Sequence, residues 1–279
     1  MERRQIGTVQ DLARYPVKSM LGEHPAALDF TERGAVGDRL YALREVATHQ
    51  IASAKKFAHL LEFRATFEQP PGPEHLTPVR IAMPDGKSIH AEDADAAEII
   101  SAELGRKMQF ERSENAQRER AGIDPKTIFA DVPVEKAIPG LTAETLPDNY
   151  GLAPATFFDS AVMHVIATGT LRHLANLAPG SIFDSRRFRP SIVVDTGVRD
   201  DTFLEDEWLG GTLVIGTLRI VKMQPALRCV MTTHPQEDLQ RDYKILRTAA
   251  SHHQVNVGVF ASIEKGGRVN VGDPVFLEK

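Results

Sequence analysis

The sequence predicts a mainly β protein with some helices, an α+β chain of barrel-like architecture divided between two domains. Three observations lead there. Many short runs alternate apolar and polar residues with a period of two. Those runs end at glycine or proline turns. Helical spacing is confined to a few stretches, which favours a barrel-like architecture over a parallel α/β sheet.

The elements follow in order. IGTVQDLARYPV, residues 6–17, reads as a first strand, with Pro16 marking an edge or an end. A strand at 26–30, a turn region around Gly34 and Gly37 and a strand at 39–44 come next. In LEFRATF, Leu61, Phe63, Ala65 and Phe67 alternate onto one face. VRIAMPDGKSIHA is a hairpin in which Pro-Asp-Gly turns the chain. EDADAAEIISAELGR is a helix that Asp93 can cap and Gly105 ends. Residues 111–155 lose periodicity and carry Pro125, Pro133, Pro139, Pro147 and Pro154, so they are expected to cross between two domains.

The second half is again rich in strands. AVMHVIA leads into the helix TGTLRHLANLAPG, where Thr168 can cap. RPSIVVDT, GTLVIG and LRIVKMQ are strands, the last ending at Pro225 so that 226–229 lie on a loop. EDLQRDYKILRTAA places Leu239, Tyr243 and Leu246 at helical spacing. VNVGVFASIEKGGRVNVGDPVFLEK closes the chain with two or three strands.

Composition narrows the function. A formal net charge of −5 gives no global attraction to nucleic acid or to an anionic membrane, so neither is expected as a partner and any anion site must be local. One cysteine in 279 residues excludes a disulfide framework and any thiolate cluster built by this chain. No apolar run is long enough to span a bilayer, and a cytoplasmic location is the default expectation. GKS at 86–88 is not a phosphate loop, because Ile81 stands where its first glycine is needed.

Four stretches carry chemistry. YPVKSM offers Lys18 and Ser19 as a phosphate grip, although a solvated lysine explains it as simply. GDRLY places Arg39 at a strand entrance, where an ordinary cross-strand ion pair is the alternative. SRRFRPS packs Arg186, Arg187 and Arg189, whose guanidinium forks suit oxyanions; strand alternation would send Arg187 and Arg189 to one face. LRCVMTT sets Arg228 beside Cys229, which can be a buried thiol, a nucleophile with His234 as a candidate base, or a soft metal ligand.

The ordered set YPVKS, GDRLY, SAKKFAHLL, RFRPS, FLEDEWLGGTLVIG, LRCVMTT and GVFASIEKGGRVNVGD closely resembles the MOSC family, proteins related to the C-terminal domain of molybdenum cofactor sulfurase. The stretch before it resembles the MOSC N-terminal β-barrel domain, so the resemblance implies a β-barrel MOSC domain plus a smaller β-rich N-terminal domain. The resemblance implies domains at 1–112 and 113–279 and a molybdenum cofactor, molybdenum held by molybdopterin. It implies Cys229 as the molybdenum ligand and catalytic centre, with Arg228 helping to hold the anion. Lys18, Ser19, Arg39 and Arg189 would grip phosphate and pterin, and Thr168 and Gly169 would add backbone amides at a helix start. Ser191 stands where relatives often carry asparagine, leaving a shorter hydroxyl contact.

The implied activity is reduction of a small N-hydroxylated substrate. With Cys229 committed to the metal, electrons would come from a separate flavin reductase or ferredoxin-type protein. THQIASAKKFAHLL replaces an Arg-Gln element of the N-hydroxyl-reducing relatives, which bears on the substrate more than on the cofactor. The alternative is a non-catalytic carrier of the cofactor, or a sulfur acceptor at Cys229.

Overall fold

The computed structural model describes residues 2–113, 156–197 and 202–279. Its first half contains β1 (Arg3–Leu12), β2 (Ala27–Thr31), β3 (Gly34–Ala35), β4 (Tyr41–Glu45), β5 (Arg64–Phe67), β6 (Val79–Ala82), β7 (Ser88–His90), helix α1 (Ala96–Leu104) and β8 (Met108–Arg112). The second half contains β9 (Met163–Ala167), α2 (Thr168–Leu177), β10 (Ile192–Asp195), β11 (Thr212–Ile215), β12 (Leu218–Leu227), α3 (Lys244–His253), β13 (Asn256–Lys265), β14 (Gly267–Asn270) and β15 (Pro274–Glu278). The expected mainly β chain with some helices is what forms. No helix among the described residues is long and apolar enough to cross a membrane.

Seven strands close a barrel in the order β1-β10-β9-β13-β12-β11-β15, and β15 pairs back onto β1. Its interior is filled by inward-facing Ile6, Val9, Leu12, Val165, Ile192, Val194, Leu213, Ile220, Val259 and Leu277, as strand alternation requires. Six of the seven junctions are antiparallel; β9 and β10 run parallel and are joined through α2. Residues 3–12, on the N-terminal side of the expected 112/113 division, therefore lie between β10 and β15.

Smaller sheets flank this barrel. The pair β4–β8 and the meander β5-β6-β7 enclose a second core of Leu43, Leu60, Phe63, Ala65, Phe67, Val79, Ile81, Ile100 and Met108. The anticipated hairpin forms between β6 and β7, with Arg80 opposite His90. Gly105 ends α1 in the left-handed region, at φ 63°, where a missing Cβ removes the steric cost.

Other expectations are corrected. Asp93 does not cap α1; its carboxylate accepts the His90 N–H at 2.8 Å, and the residue at the cap position is Asp95. Thr168 is the first residue of α2 rather than its cap, which is Ala167. Pro225 does not end β12: the strand runs on to Leu227, and register shifts on either side of the proline absorb its missing donor. The last helix starts only at Lys244, so Leu239 sits in an isolated bridge with Gln236 and Tyr243 is exposed. Most of the proline-rich crossing, from 114 to 155, lies outside the described residues.

The N-terminus of α2 is closed by a buried carboxylate. Glu205 Oε1 accepts the Ala167 N–H at 2.7 Å, and Oε2 accepts the Thr170 hydroxyl. Burial raises its pKa to about 7, outweighing those hydrogen bonds. The folded protein therefore binds this proton more tightly than the unfolded chain does. The resulting stability is complete below the ordinary carboxylate range and is lost as pH rises through about 7. Glu205→Gln should leave thermal stability nearly unchanged at about pH 5 and raise it at about pH 8, where the parent has lost on the order of 2 kcal/mol. Melting curves of both proteins across that range test this.

Candidate functional site

The site begins where β1 leaves the barrel. Residues 15–18 run beside 38–41: Tyr15 N donates to Asp38 Oδ1 at 2.8 Å, Arg39 N to the Tyr15 carbonyl at 2.8 Å, and Lys18 N to the Tyr41 carbonyl at 2.8 Å. This pairing delivers Lys18 and Arg39 to one place. The Lys18 ammonium donates to the Phe157 carbonyl at 2.7 Å and to Asp159 Oδ1 at 2.5 Å. Lys55 approaches Asp159 Oδ2 at 3.7 Å. Desolvation works against ionisation of Asp159, but Lys18 and Lys55 overcome it and hold the carboxyl far below its usual range.

Tyr15 organises the arginines. The Arg189 guanidinium carbon lies 3.9 Å from the Tyr15 ring centroid and that of Arg39 lies 4.5 Å away, both cation–π contacts. Arg39 also pairs with Asp38 and approaches the Phe158 ring at 5.2 Å. Arg189 and Arg228 are buried, at 6% and 7% exposure. Among the described residues, Nη1 and Nη2 of Arg189 and Nε of Arg228 have no hydrogen-bond partner, while Arg228 Nη2 donates to the Phe188 carbonyl at 2.5 Å. Burial pulls both arginines down to about 10, Arg39 adding its repulsion, so both remain charged at neutral pH. Burial likewise pushes the Tyr15 hydroxyl up to about 12.

Ser19, Arg39 and Arg189 all have positive φ, at 69°, 49° and 54°. Left-handed backbone is uncommon for residues with a Cβ, and three examples meet in this cluster.

Cys229 follows β12 and is half-buried. A short 3-10 turn, Val230–Thr233, continues from it, and the Cys229 carbonyl accepts from Thr232 N at 3.1 Å and Thr232 Oγ1 at 3.0 Å. Two contacts fix this segment. Met231 packs on Leu21, Ala54 and Leu61, which brings residues 54 and 55 to the Cys229 loop. Arg187 donates to four carbonyls, those of Ile182 at 3.0 Å, Thr232 and His234 at 3.3 Å and Gln240 at 2.8 Å. The turn carrying Arg189 is thereby pinned to the turn following Cys229.

The structure thus brings together Lys18, Arg39, Arg189, Arg228 and Cys229, with mutual electrostatic influence linking the set. Ser19 stands beside them, but its hydroxyl oxygen accepts the Ala54 N–H at 3.0 Å and so positions backbone. Ser191 is buried and ties strands: its N–H donates to the His164 carbonyl at 2.8 Å and its carbonyl accepts from Ala13 at 3.1 Å. Thr168 and Gly169 are not brought in. They pack beside Asp195 and Thr196, at the other end of β10 from Arg189, and the Gly169 N–H donates to Thr196 Oγ1 at 3.3 Å. Four residues of strand, about 13 Å, separate Ser191 from Asp195.

Two further expectations change. Residues 185–187 form a 3-10 turn, so strand alternation does not apply: Arg187 points inward, while Arg186 pairs with Asp184, Glu237 and Asp238 at the surface. His234, the candidate base, accepts at its Nδ1 from Arg241 Nη1 at 3.1 Å, so the structure directs that ring to an arginine. Residue-by-residue reading missed Tyr15, Lys55, Asp159 and His164. His164 is buried in β9, with Nε2 3.1 Å from the Val257 carbonyl. Burial, helped by Arg228, keeps it neutral. Among the described residues, no three His, Cys, Asp or Glu side chains form a metal-holding group.

A barrel with this cluster at its edge agrees with the family comparisons. Residues 6–118 match the MOSC N-terminal beta barrel domain and residues 153–276 match the MOSC domain. The chain belongs to the MOSC family. It is 26% identical over 299 residues to mitochondrial amidoxime reducing component 2 of Rattus norvegicus, covering 98% of this chain and 84% of that protein. The Homo sapiens protein of the same name is 25% identical, with the same coverage. Among solved structures, the YUAD protein from Bacillus subtilis covers 100% of this chain and 98% of its own at 11% identity and a TM-score of 0.46. YiiM from Geobacillus stearothermophilus covers 43% of this chain and 55% of its own at 16% identity and a TM-score of 0.31.

Two outcomes follow from the geometry. Tyr15→Phe should stay within about 0.5 kcal/mol of the parent's stability, and Tyr15→Leu should lose about 1–2 kcal/mol, because the cation–π contacts need the ring and not the hydroxyl. Denaturant unfolding measures both. Arg187→Met should lower stability by about 2–4 kcal/mol, because it leaves four carbonyls without their donor, and should speed alkylation of Cys229; Arg187→Lys should recover part of each.

Proposed function

We propose that this protein is a molybdenum-cofactor oxidoreductase that reduces N-hydroxylated small molecules, taking electrons from a separate redox protein. The observation that carries the reading is a half-buried thiol beside the buried Arg228, in one cluster with the buried Arg189, both arginines keeping donors that nothing among the described residues accepts. A ligand suited to both must be anionic and must offer a metal that accepts sulfur; a molybdenum centre on a phosphorylated pterin has both properties. The family match and the names of the relatives point the same way.

Cys229 would be the protein's ligand to the metal. Arg189 and Arg228 would answer the phosphate, with Arg39 and Lys18 completing the grip. When bound, the group supplies two-electron redox chemistry with transfer of an oxygen atom. The chain's own part is to orient and to exclude water. The Arg187 pin and the packing of Met231 on Ala54 hold the thiol in one position. The buried arginines fix charge where water would otherwise screen it.

The net reaction is R–NHOH + 2e⁻ + 2H⁺ → R–NH₂ + H₂O. The N–O bond breaks, the nitrogen is reduced, and a flavin reductase or ferredoxin-type partner is oxidised. Within this proposal the substrate is a small molecule, and neither nucleic acid nor membrane takes part.

The protein should be expressed in a host that makes the cofactor, alongside Cys229→Ser. Molybdenum and pterin are then measured, followed by reduction of a hydroxylamine with an artificial electron donor. Near-stoichiometric molybdenum and turnover in the parent, both lost in the variant, are the expected results. Pterin bound equally by both, with no turnover, would instead identify a cofactor carrier. A folded parent with neither metal nor pterin would sink the reading.

A further inference from the structure

Exposure sorts the cations around Cys229. The two arginines with unanswered donors are almost wholly buried, and the Lys18 side chain is 11% exposed with two short acceptors. Lys55 is different: its side chain is 24% exposed, and its carboxylate neighbour Asp159 is 54% exposed. The water-facing side of the cluster is therefore the Lys55–Asp159 side.

Lys55 is also held in place without using its ammonium. The preceding N–H, of Ala54, donates to Ser19 Oγ at 3.0 Å, and Ala54 is buried against Leu21 and Leu61 with Met231 packed on the group. Lys56 turns elsewhere and pairs with Glu45 at 2.9 Å, so the two adjacent lysines do different work. Asp159 is claimed more closely by Lys18, at 2.5 Å, than by Lys55, at 3.7 Å. An ammonium has three donors, so Lys55 retains capacity for a further acceptor. Its charge is secure: Asp159 raises its pKa against the opposing effect of burial, and Cys229 and Arg228 both lie within electrostatic reach.

We propose that Lys55 is the specificity-determining residue of the site, selecting N-hydroxylated substrates that carry an anionic group, a carboxylate or a phosphate, which its ammonium receives at the water-facing side of Cys229. The proposal rests on the molybdenum reading for the reaction, though not for the charge selection itself. The buried arginines answer the cofactor, and the lysine answers the substrate.

The first arm of the test needs no metal. In the full chain without cofactor, Cys229 attacks an aromatic disulfide: the thiolate forms a mixed disulfide and one aryl thiolate leaves. Two probes are compared, dianionic 5,5′-dithiobis(2-nitrobenzoate) and uncharged 4,4′-dithiodipyridine. The ratio of their rates cancels the thiol's own reactivity and reports the field met by an incoming anion. Lys55→Gln should lower the anionic-to-neutral ratio about three- to tenfold at low salt, with the difference shrinking above about 0.1 M salt, where the screening length falls below roughly 10 Å. Lys55→Arg should keep the parent ratio. An equal ratio in parent and Lys55→Gln overturns the proposal.

The second arm uses the loaded enzyme. Lys55→Gln should raise KM several-fold for a carboxylate-bearing hydroxylamine and leave KM for its neutral ester unchanged, with kcat preserved for both. A shift equal for the two substrates overturns the substrate class even if the probe ratio moved. No turnover of any substrate by metal-loaded parent overturns the reductase reading, and the probe ratio then still decides the role of Lys55.

Discussion

Arg189 and Arg228 lie inside the protein with donors that nothing among the described residues accepts, close enough to Arg39 for the charges to repel. Burying such groups is unfavourable unless something offsets it. Part of the offset is visible. The Tyr15 ring faces two guanidinium groups, Asp38 neutralises Arg39, and the Phe188 carbonyl takes one Arg228 donor. The proposed cofactor would supply the remainder. Much of the surrounding architecture can be understood as what keeps these cations from turning outward to water.

That architecture depends on a splice between the two halves of the chain. β1 belongs to the barrel, and the residues directly after it carry Tyr15, Lys18 and Ser19. The barrel strand therefore aims the N-terminal contribution to the site. From the other side, β12 delivers Arg228 and Cys229, and the turn before β10 delivers Arg189. Arg187 locks the last two together through four carbonyls. Because three chain segments must converge, the site cannot form from either half alone.

Much of the fold was legible because strand alternation is a local signal. The hairpin at 79–90, the strands at 163–167 and 192–195 and the end of α1 at Gly105 all follow from residue order. The failures share a cause, tertiary context overriding a local rule. Pro225 continues a strand because bulges in its neighbours make room. Tyr243 has helical spacing but precedes the helix, since Ile245 and Ala249 supply the buried face. At the site, family resemblance located the cysteine and the cations that cluster. It also suggested Thr168 and Gly169, whose groups the structure engages with Asp195 and Thr196. Asp159 and Lys55 escaped because their meaning lies in a pairing across more than a hundred residues. Tyr15 escaped because a ring between two cations cannot be read from any one-dimensional spacing.

The left-handed backbone at Ser19, Arg39 and Arg189 has an evolutionary consequence. Each residue sits where glycine would be more comfortable, by about 1 kcal/mol, and two of them add a charge that the fold must accommodate. Stability and site integrity therefore pull in opposite directions at these positions. A lineage released from its chemical task would drift toward glycine or small neutral residues here, and its members would melt at higher temperature than their working ancestors. Among homologous barrels, the backbone angle at these positions would then serve as a fossil, still left-handed after the side chain that required it had gone.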